Sequence, residues 1–253
     1  MMRITDTVKH LIIVNIIFFV ASYLIPAMQS LFAMYYVENP NFFIWQPLTH
    51  MFMHGGMMHI FFNMFALFSF GSTLEAIWGG KKFILFYLLC GFGAALLHTG
   101  VNYLAINDIT STLVDNGFSR KEILETIYSN SRSFNYNTAW LQYISQEQLV
   151  NAASAFNTPV VGASGAIYGL LVAFAFMFPQ AELMMMFIPV PIKAKYFVPG
   201  ILLLDLYGGV SGGFSLFGGG SGIAHFAHIG GALMGFILMY YWKKTQFNKN
   251  RWD

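Results

Sequence analysis

Six stretches of the chain stay apolar long enough to be read as membrane helices: roughly residues 10–28, 57–77, 83–104, 160–178, 196–214 and 223–242. Each lies near the ~20 residues that carry a helix across ~30 Å of hydrocarbon. The roughly ten-residue alternating segments of a transmembrane barrel are absent. The pattern predicts an all-α polytopic membrane protein with six transmembrane helices. The first window follows Arg3 and Lys9, as the apolar core of a signal peptide would. It is long for that role, and "PAMQS" after it is a poor cleavage site, so it is read as a retained span.

Two polar stretches interrupt the pattern. Residues 105–158 form an external polar insertion between the third and fourth spans of a single membrane domain, 1–253. Within it Ser119 and Glu122 have the spacing of a capping box, and Ile123, Leu124 and Ile127 share one helical face. Two short amphipathic helices are expected, roughly 119–129 and 145–156. The segment is too short and too poor in apolar residues to be an independent domain. Its sequence fits equally a helix pair on the membrane surface and a cover over an active-site mouth. The second stretch, "GGVSGGFSLFGGGSG" at 208–222, holds eight glycines in fifteen residues. It is too permissive for a rigid helix and reads as a flexible connector or as a gate.

Composition agrees with a membrane setting: 57% of residues are hydrophobic and only 9% charged, against about 25% charged in soluble domains. The net charge of +2 is too small to suggest nucleic-acid binding, and the single Cys90 rules out an internal disulfide. Charge also orients the spans. With both termini in the cytoplasm, Arg3, Lys9, Lys81, Lys82, Lys193, Lys195, Lys243, Lys244, Lys249 and Arg251 fall inside. Only Arg120, Lys121 and Arg132 fall outside. This bias obeys the positive-inside rule. It leads to the expectation of a multi-pass protein of the bacterial cytoplasmic (inner) membrane.

Polar side chains within spans are costly and so are candidates for function. "HMFMHGGMMHIFFNMF" supplies His50, His54, His59 and Asn63; the last two lie four residues apart on one helical face. Ser164, with Tyr168 one turn below, opens the fourth span, and His225 and His228 open the sixth. In the assigned topology spans two, four and six all run inward, so His59, Ser164 and His228 share one depth. Gly165 and Gly169, and likewise Gly231 and Gly235, form small-residue ridges that allow close helix approach. That closeness is what a serine–histidine hydrogen bond between helices needs.

His228 can take the proton that makes Ser164 a nucleophile. His59, Asn63 and the Ser164 backbone N–H are candidate oxyanion donors. No carboxylate is expected beside the histidine, which implies a catalytic dyad. His50, His54 and His225 read as structural. Glu75 reads as a structural partner of polar groups near Lys81 and Lys82. Asp205 reads as protonated or hydrogen-bonded to a neighbour, or as acting in substrate gating.

Taken together, "HMFMHGGMMHIFFNMFALFSFGSTLE", "GASGAIYG" and "AHIGGALMG" resemble the rhomboid intramembrane serine proteases, in order and over the whole six-span core. The resemblance implies hydrolysis of peptide bonds in or beside transmembrane helices of membrane-protein substrates, without a cofactor. By motif position it implies Ser164 as nucleophile, His228 as its base and His59 and Asn63 as oxyanion donors. Tyr168 and Gly162 are then supporting residues. One departure is Trp45-Gln46, where the family often has a Trp-Arg pair. The partners implied are the lipid bilayer and transmembrane substrates. Two other readings use the same residues: a metal-binding membrane protein built on His50, His54, His59, His225 and His228, and a non-catalytic membrane chaperone.

Overall fold

The computed structural model describes residues 3–129, 136–185, 188–211 and 223–245, and these are mostly helical. Helix α1 spans Asp6–Leu24. It stops earlier than its hydropathy because Pro26 forces the residue before it into extended backbone, with Ile25 at φ −124° and ψ 99°. The short helices α2 (Ala27–Phe32) and α3 (Gln46–Thr49) follow, with a 3₁₀ turn at His50–Phe52. Helices α4 (Met57–Ala66) and α5 (Ser72–Trp78) run on through a π-helical turn at Leu67–Gly71. Helix α6 is long, Gly80–Asp115, and is followed by α7 (Arg120–Ser129) and α8 (Gln146–Asn157). Helix α9 (Ser164–Met177) leads to an antiparallel hairpin, β1 (Glu182–Met185) and β2 (Ile188–Lys193), with Glu182 opposite Lys193. Helices α10 (Ala194–Ser211) and α11 (Ile223–Thr245) complete the described chain.

Among the described residues three stretches are long and apolar enough to cross a membrane: Asp6–Leu24, Met57–Trp78 and Gly80–Asp115. Their lateral faces suit hydrocarbon, since Ile13, Ile16, Ile17 and Val20 of α1 and Leu96 of α6 are exposed. Helix α9 is different. It is shorter, and every residue from Gly165 to Ala173 is buried. It is the central helix of the bundle, wrapped mainly by α6 and α11.

Glycine sets the spacing at this centre. A Cβ on Gly231 would overlap the Gly165 carbonyl, and one on Gly235 would fall against the Gly169 backbone. The two ridges read from the sequence therefore face each other. Helix α6 joins in the same way, with Gly230 against the Gly93 carbonyl and Gly169 against Cys90. Around this centre Leu67, Phe83, Phe86, Tyr87, Ala166 and Leu170 form the apolar core.

Lys82 marks one end of the bundle, its Nζ 4.1 Å from the Trp242 ring centroid and 5.8 Å from that of Trp78. Glu75 turns to the start of α1. It accepts from the backbone N–H groups of Thr7 and Val8, both at 2.9 Å, and from the Thr5 hydroxyl. It thus caps α1, whose start supplies polar groups beside Gly80 and so near Lys81 and Lys82, as the sequence suggested. The free N–H groups of a helix start, with their positive end of the dipole, suit a carboxylate.

Helix α6 is about 54 Å long at 1.5 Å per residue, far more than the ~30 Å of hydrocarbon. Its last turns carry residues 105–115, which the polar composition had assigned to the insertion. The two expected amphipathic helices are present as α7 and α8. The capping box seen is at the head of α8, where Ser145 and Gln148 bond reciprocally. The segment is richer in core than expected because it borrows apolar residues. Ile106, Ile109 and Leu113 of α6 and Tyr36 of the preceding loop join Ile123, Ile127, Trp140, Leu149 and Phe156 in one cluster, with Trp140 fully buried.

This cluster is tied to the loop before α3. Asn39 Nδ2 donates to the Phe156 carbonyl at 2.7 Å, and Arg120 donates two hydrogen bonds to Glu38, at 2.7 and 2.8 Å. The Arg120 guanidinium holds the Glu38 carboxyl below its ordinary range. Burial, with Glu38 alongside, pushes the Tyr36 hydroxyl up to about 12. Of the Gly-rich stretch, Gly208 and Gly209 are helical within α10, against expectation, while 212–222, and with them most of the expected connector or gate, lie outside the described residues.

Two outcomes follow from these contacts. Because the folded state holds Glu38 as a carboxylate, its contribution is in place above the ordinary carboxylate range and is lost as pH falls below it. The protection of amides in residues 120–129, exchange being corrected for its intrinsic pH dependence, is expected to fall between about pH 7 and about pH 3 and to be less pH-sensitive in Glu38→Gln. Gly231→Ala is expected to lower stability by about 1–3 kcal/mol or more, since backbone rather than a flexible side chain must move. Thermal unfolding of the purified protein measures it.

Candidate active site

The segment leading into α9 is pinned from two sides. Met34 and Val160 exchange backbone hydrogen bonds of 3.0 and 2.9 Å, and Gly162 N–H donates to the His50 carbonyl at 2.9 Å. Gly162 then turns the chain with φ +123°, a region that L residues rarely occupy. A methyl there would also press on the His59 ring at 2.9 Å and lie 3.5 Å from Ser164 Oγ. This glycine keeps open the space between His59 and Ser164. Ser164 is the first residue of α9.

Across the glycine contact stands His228. Its Nε2 lies 2.8 Å from Ser164 Oγ. The Tyr168 ring stacks on the His228 imidazole, with centroids 4.3 Å apart and planes 9° from parallel. On the other side the Gly55 N–H donates to His59 Nδ1 at 3.3 Å, which leaves the ring proton on Nε2. That nitrogen is the one nearest the space beside Gly162, so His59 presents a donor there. Asn63 lies one turn below, where its Nδ2 donates to the His59 carbonyl at 2.7 Å and its buried Oδ1 has no partner among the described residues. One Nδ2 hydrogen remains for a second acceptor. Ser164, His228, His59, Tyr168 and Gly162 thus come together, with Asn63 behind His59.

Other polar residues are placed by their own contacts. His50 is buried, its Nδ1 3.1 Å from the Gln46 carbonyl. His54 is buried with its ring edge-on to His59, centroids 5.1 Å apart. Gln46 is fully buried and bonds to three backbone groups, donating to Ser30 and Asn41 carbonyls and accepting from Tyr35 N–H. It ties the loop together at the position where the resemblance leads one to expect arginine.

The structure corrects one expectation at this site. A carboxylate does lie beside the histidine. Asp205 Oδ1 is 3.2 Å from His228 Nδ1 and 2.5 Å from His225 Nδ1. The Tyr168 hydroxyl lies near this carboxylate. His225 is buried and bonded to Asp205, a structural role in keeping with its reading from the sequence. A signal was present in the sequence. Val198, Ile201, Asp205 and Gly208 recur at three- and four-residue spacing, and all four are buried. An acid on the core stripe of a helix needs a partner inside the bundle. The five-histidine metal site is not assembled; among the described residues the donor group that could hold a cation is Asp205, His225 and His228.

The comparisons with known proteins agree with the fold and the motifs. The Rhomboid domain model matches residues 41–114 and 129–245. The chain belongs to the rhomboid family. It is similar to the mouse presenilin-associated rhomboid-like protein, mitochondrial, at 25% identity over 95% of this chain and 51% of the relative. It is also similar to the yeast (Saccharomyces cerevisiae) rhomboid protein 1, mitochondrial, at 24% identity over 77% of this chain and 40% of the relative. A shorter match, 36% identical over 52 residues, is to the rhomboid protease GluP of Bacillus subtilis, covering 21% of this chain and 10% of that protein. The chain thus spans about half the length, or less, of these relatives. Mitochondrial and bacterial proteins both appear among them, so they do not support the expected assignment to a bacterial membrane.

The turn at Gly162 yields a direct check. Gly162→Ala is expected to lose about 1–3 kcal/mol of stability through backbone strain, read as a lower thermal midpoint. The loss is expected to exceed that of Gly56→Ala, whose added methyl would meet nothing within 4 Å and whose φ of 173° is ordinary extended backbone.

Proposed function

We propose that this chain is an intramembrane serine endopeptidase that cleaves peptide bonds in or next to transmembrane helices. The observation that carries the reading is the 2.8 Å approach of His228 Nε2 to Ser164 Oγ at the start of a buried helix. In this reading Ser164 Oγ attacks the substrate carbonyl carbon while His228 Nε2 takes the hydroxyl proton. His59 Nε2–H, the Asn63 amide and the Ser164 backbone N–H receive the negative oxygen. The C–N bond then breaks as His228 returns the proton to the departing amine. Water, deprotonated in turn by His228, attacks the acyl-serine, and the ester C–O bond breaks as His228 returns that proton to Ser164 Oγ.

The membrane arrangement belongs to the same proposal. Asp6–Leu24, Met57–Trp78, Gly80–Asp115, Ser164–Met177, Ala194–Ser211 and Ile223–Thr245 are six crossings. Both termini lie on the side rich in lysine and arginine, and residues 116–158 lie outside the opposite face. At 1.5 Å per residue α9 covers about 21 Å, less than the ~30 Å of hydrocarbon. Ser164 then sits below the surface, in a hollow that water enters from that face. Substrates are membrane proteins whose helix is locally weak, because a stable helix keeps its carbonyls hydrogen-bonded and helix breakers release them.

The reading is tested without a known substrate. Membranes carrying the wild type, Ser164→Ala or His228→Ala are treated with a fluorophosphonate, and adducts are located by mass spectrometry. The expected adduct is on Ser164, absent in Ser164→Ala and strongly reduced in His228→Ala. Equal labelling with and without His228, or none in folded wild type that the probe enters, overturns the proposal.

A further inference from the structure

Asp205 should not be where it is on grounds of packing. It is 6% exposed, on the core stripe of α10 between Ile201 and Gly208. A carboxylate taken out of water there costs several kcal/mol unless charge and hydrogen bonds compensate it. An aliphatic side chain would fill the same stripe without that cost. What compensates it is two imidazoles, both from the first turns of α11 and three residues apart, which reach one carboxylate oxygen.

Each contact has a chemical consequence. An ionised carboxylate only accepts hydrogen bonds, so the imidazole nitrogen facing it must carry the proton. For His228 that nitrogen is Nδ1, which leaves the Nε2 lone pair for the Ser164 hydroxyl. In the other neutral tautomer Nε2 would carry the proton and could not act as a base. The Tyr168 stack fixes the plane of the ring, and the carboxylate fixes its direction within that plane. His225 makes the shorter contact to the same oxygen and so holds the carboxylate in place. Close approach of α10 and α11 at this level depends on Gly209, where a Cβ would lie 3.1 Å from the Phe226 ring and 3.4 Å from His225 Cβ.

We propose that Asp205 is a positioning residue that fixes the tautomer and direction of His228, with His225 as the clamp that holds it. This rests on the reading of Ser164 and His228 as nucleophile and base. It replaces the bare dyad with a serine–histidine pair oriented by a carboxylate from α10. Asp205 touches no reacting atom. Its negative charge also stabilises the imidazolium that forms when His228 takes the serine proton.

The test has two readouts on the full chain. The first is nitrogen NMR of protein labelled with ¹⁵N-histidine in lipid or micelles, with the His228 signal assigned by its loss in His228→Gln. Wild type is expected to carry the neutral His228 proton on Nδ1, and Asp205→Asn to move it toward Nε2. The second is steady-state cleavage of a transmembrane-helix peptide. Asp205→Asn is expected to lower kcat by about 10²- to 10⁴-fold with KM changed by less than about threefold. Asp205→Glu is expected to recover part of the loss, and His225→Ala to lose less than Asp205→Asn.

A wild-type His228 protonated on Nε2 overturns the proposal, as does a metal on its Nδ1, or an Asp205→Asn protein with wild-type kcat. If Asp205→Asn does not fold, the wild-type tautomer decides. If wild type cleaves nothing and Ser164 takes no fluorophosphonate, the proteolytic reading fails by itself. The tautomer still decides whether Asp205 positions His228.

Discussion

The contact on which this structure depends is between two backbones. Gly231 of α11 lies against the Gly165 carbonyl of α9, closer than any side chain would allow. Inside a membrane, where lipid is as apolar as leucine, helices are held by such close van der Waals contact more than by a hydrophobic drive. The residues that flank the contact are Ser164, directly before Gly165, and His228, three residues before Gly231. A hydrogen bond of 2.8 Å between their side chains follows from the spacing of the helices. Separate the helices by one methyl group and the pair is lost.

Several polar groups around this contact are paired. Gly162 turns the chain and donates to His50; Gly55 fixes the ring proton of His59; Asp205 takes the imidazoles of His225 and His228. In an apolar bundle an unpaired polar atom is costly, and these contacts offset that cost. The same rule operates away from the site, in the Glu75 cap on α1 and in Gln46, which bonds to three backbone groups of its loop. Residues 116–129 and 136–158 follow it on a larger scale. They gain a core by packing on α6 and on Tyr36, and Arg120 closes the join with Glu38.

Much of this could be read in the chain. The apolar windows fell on helices, α7 and α8 began within a residue of their expected starts, and the paired glycine ridges met as their spacing implied. Ser164, His228, His59 and Tyr168 were brought together at the glycine contact. Other features were not legible, for particular reasons. The end of α6 looked like loop because residues 105–115 are polar, yet their apolar members face a cluster supplied by distant segments. Glu75 was read as a partner of polar groups at its own end of the bundle, but which groups was not legible, since they lie about seventy residues earlier in the chain. Asp205 gave a signal in its stripe, though nothing in the sequence says which helix that stripe faces.

What the sequence determined by itself is local or periodic: which stretches are helical and apolar, where proline and glycine break or turn them, and which small residues can let helices meet. Its motifs, read as a resemblance, also reached the family. Only the tertiary structure decided which polar side chains share a space, because that depends on the rotation and depth of each helix relative to its neighbours. His225, His228 and Asp205 are separated by up to 23 residues, part of which joins α10 to α11, yet meet at one oxygen atom. No periodicity along a single helix contains that meeting.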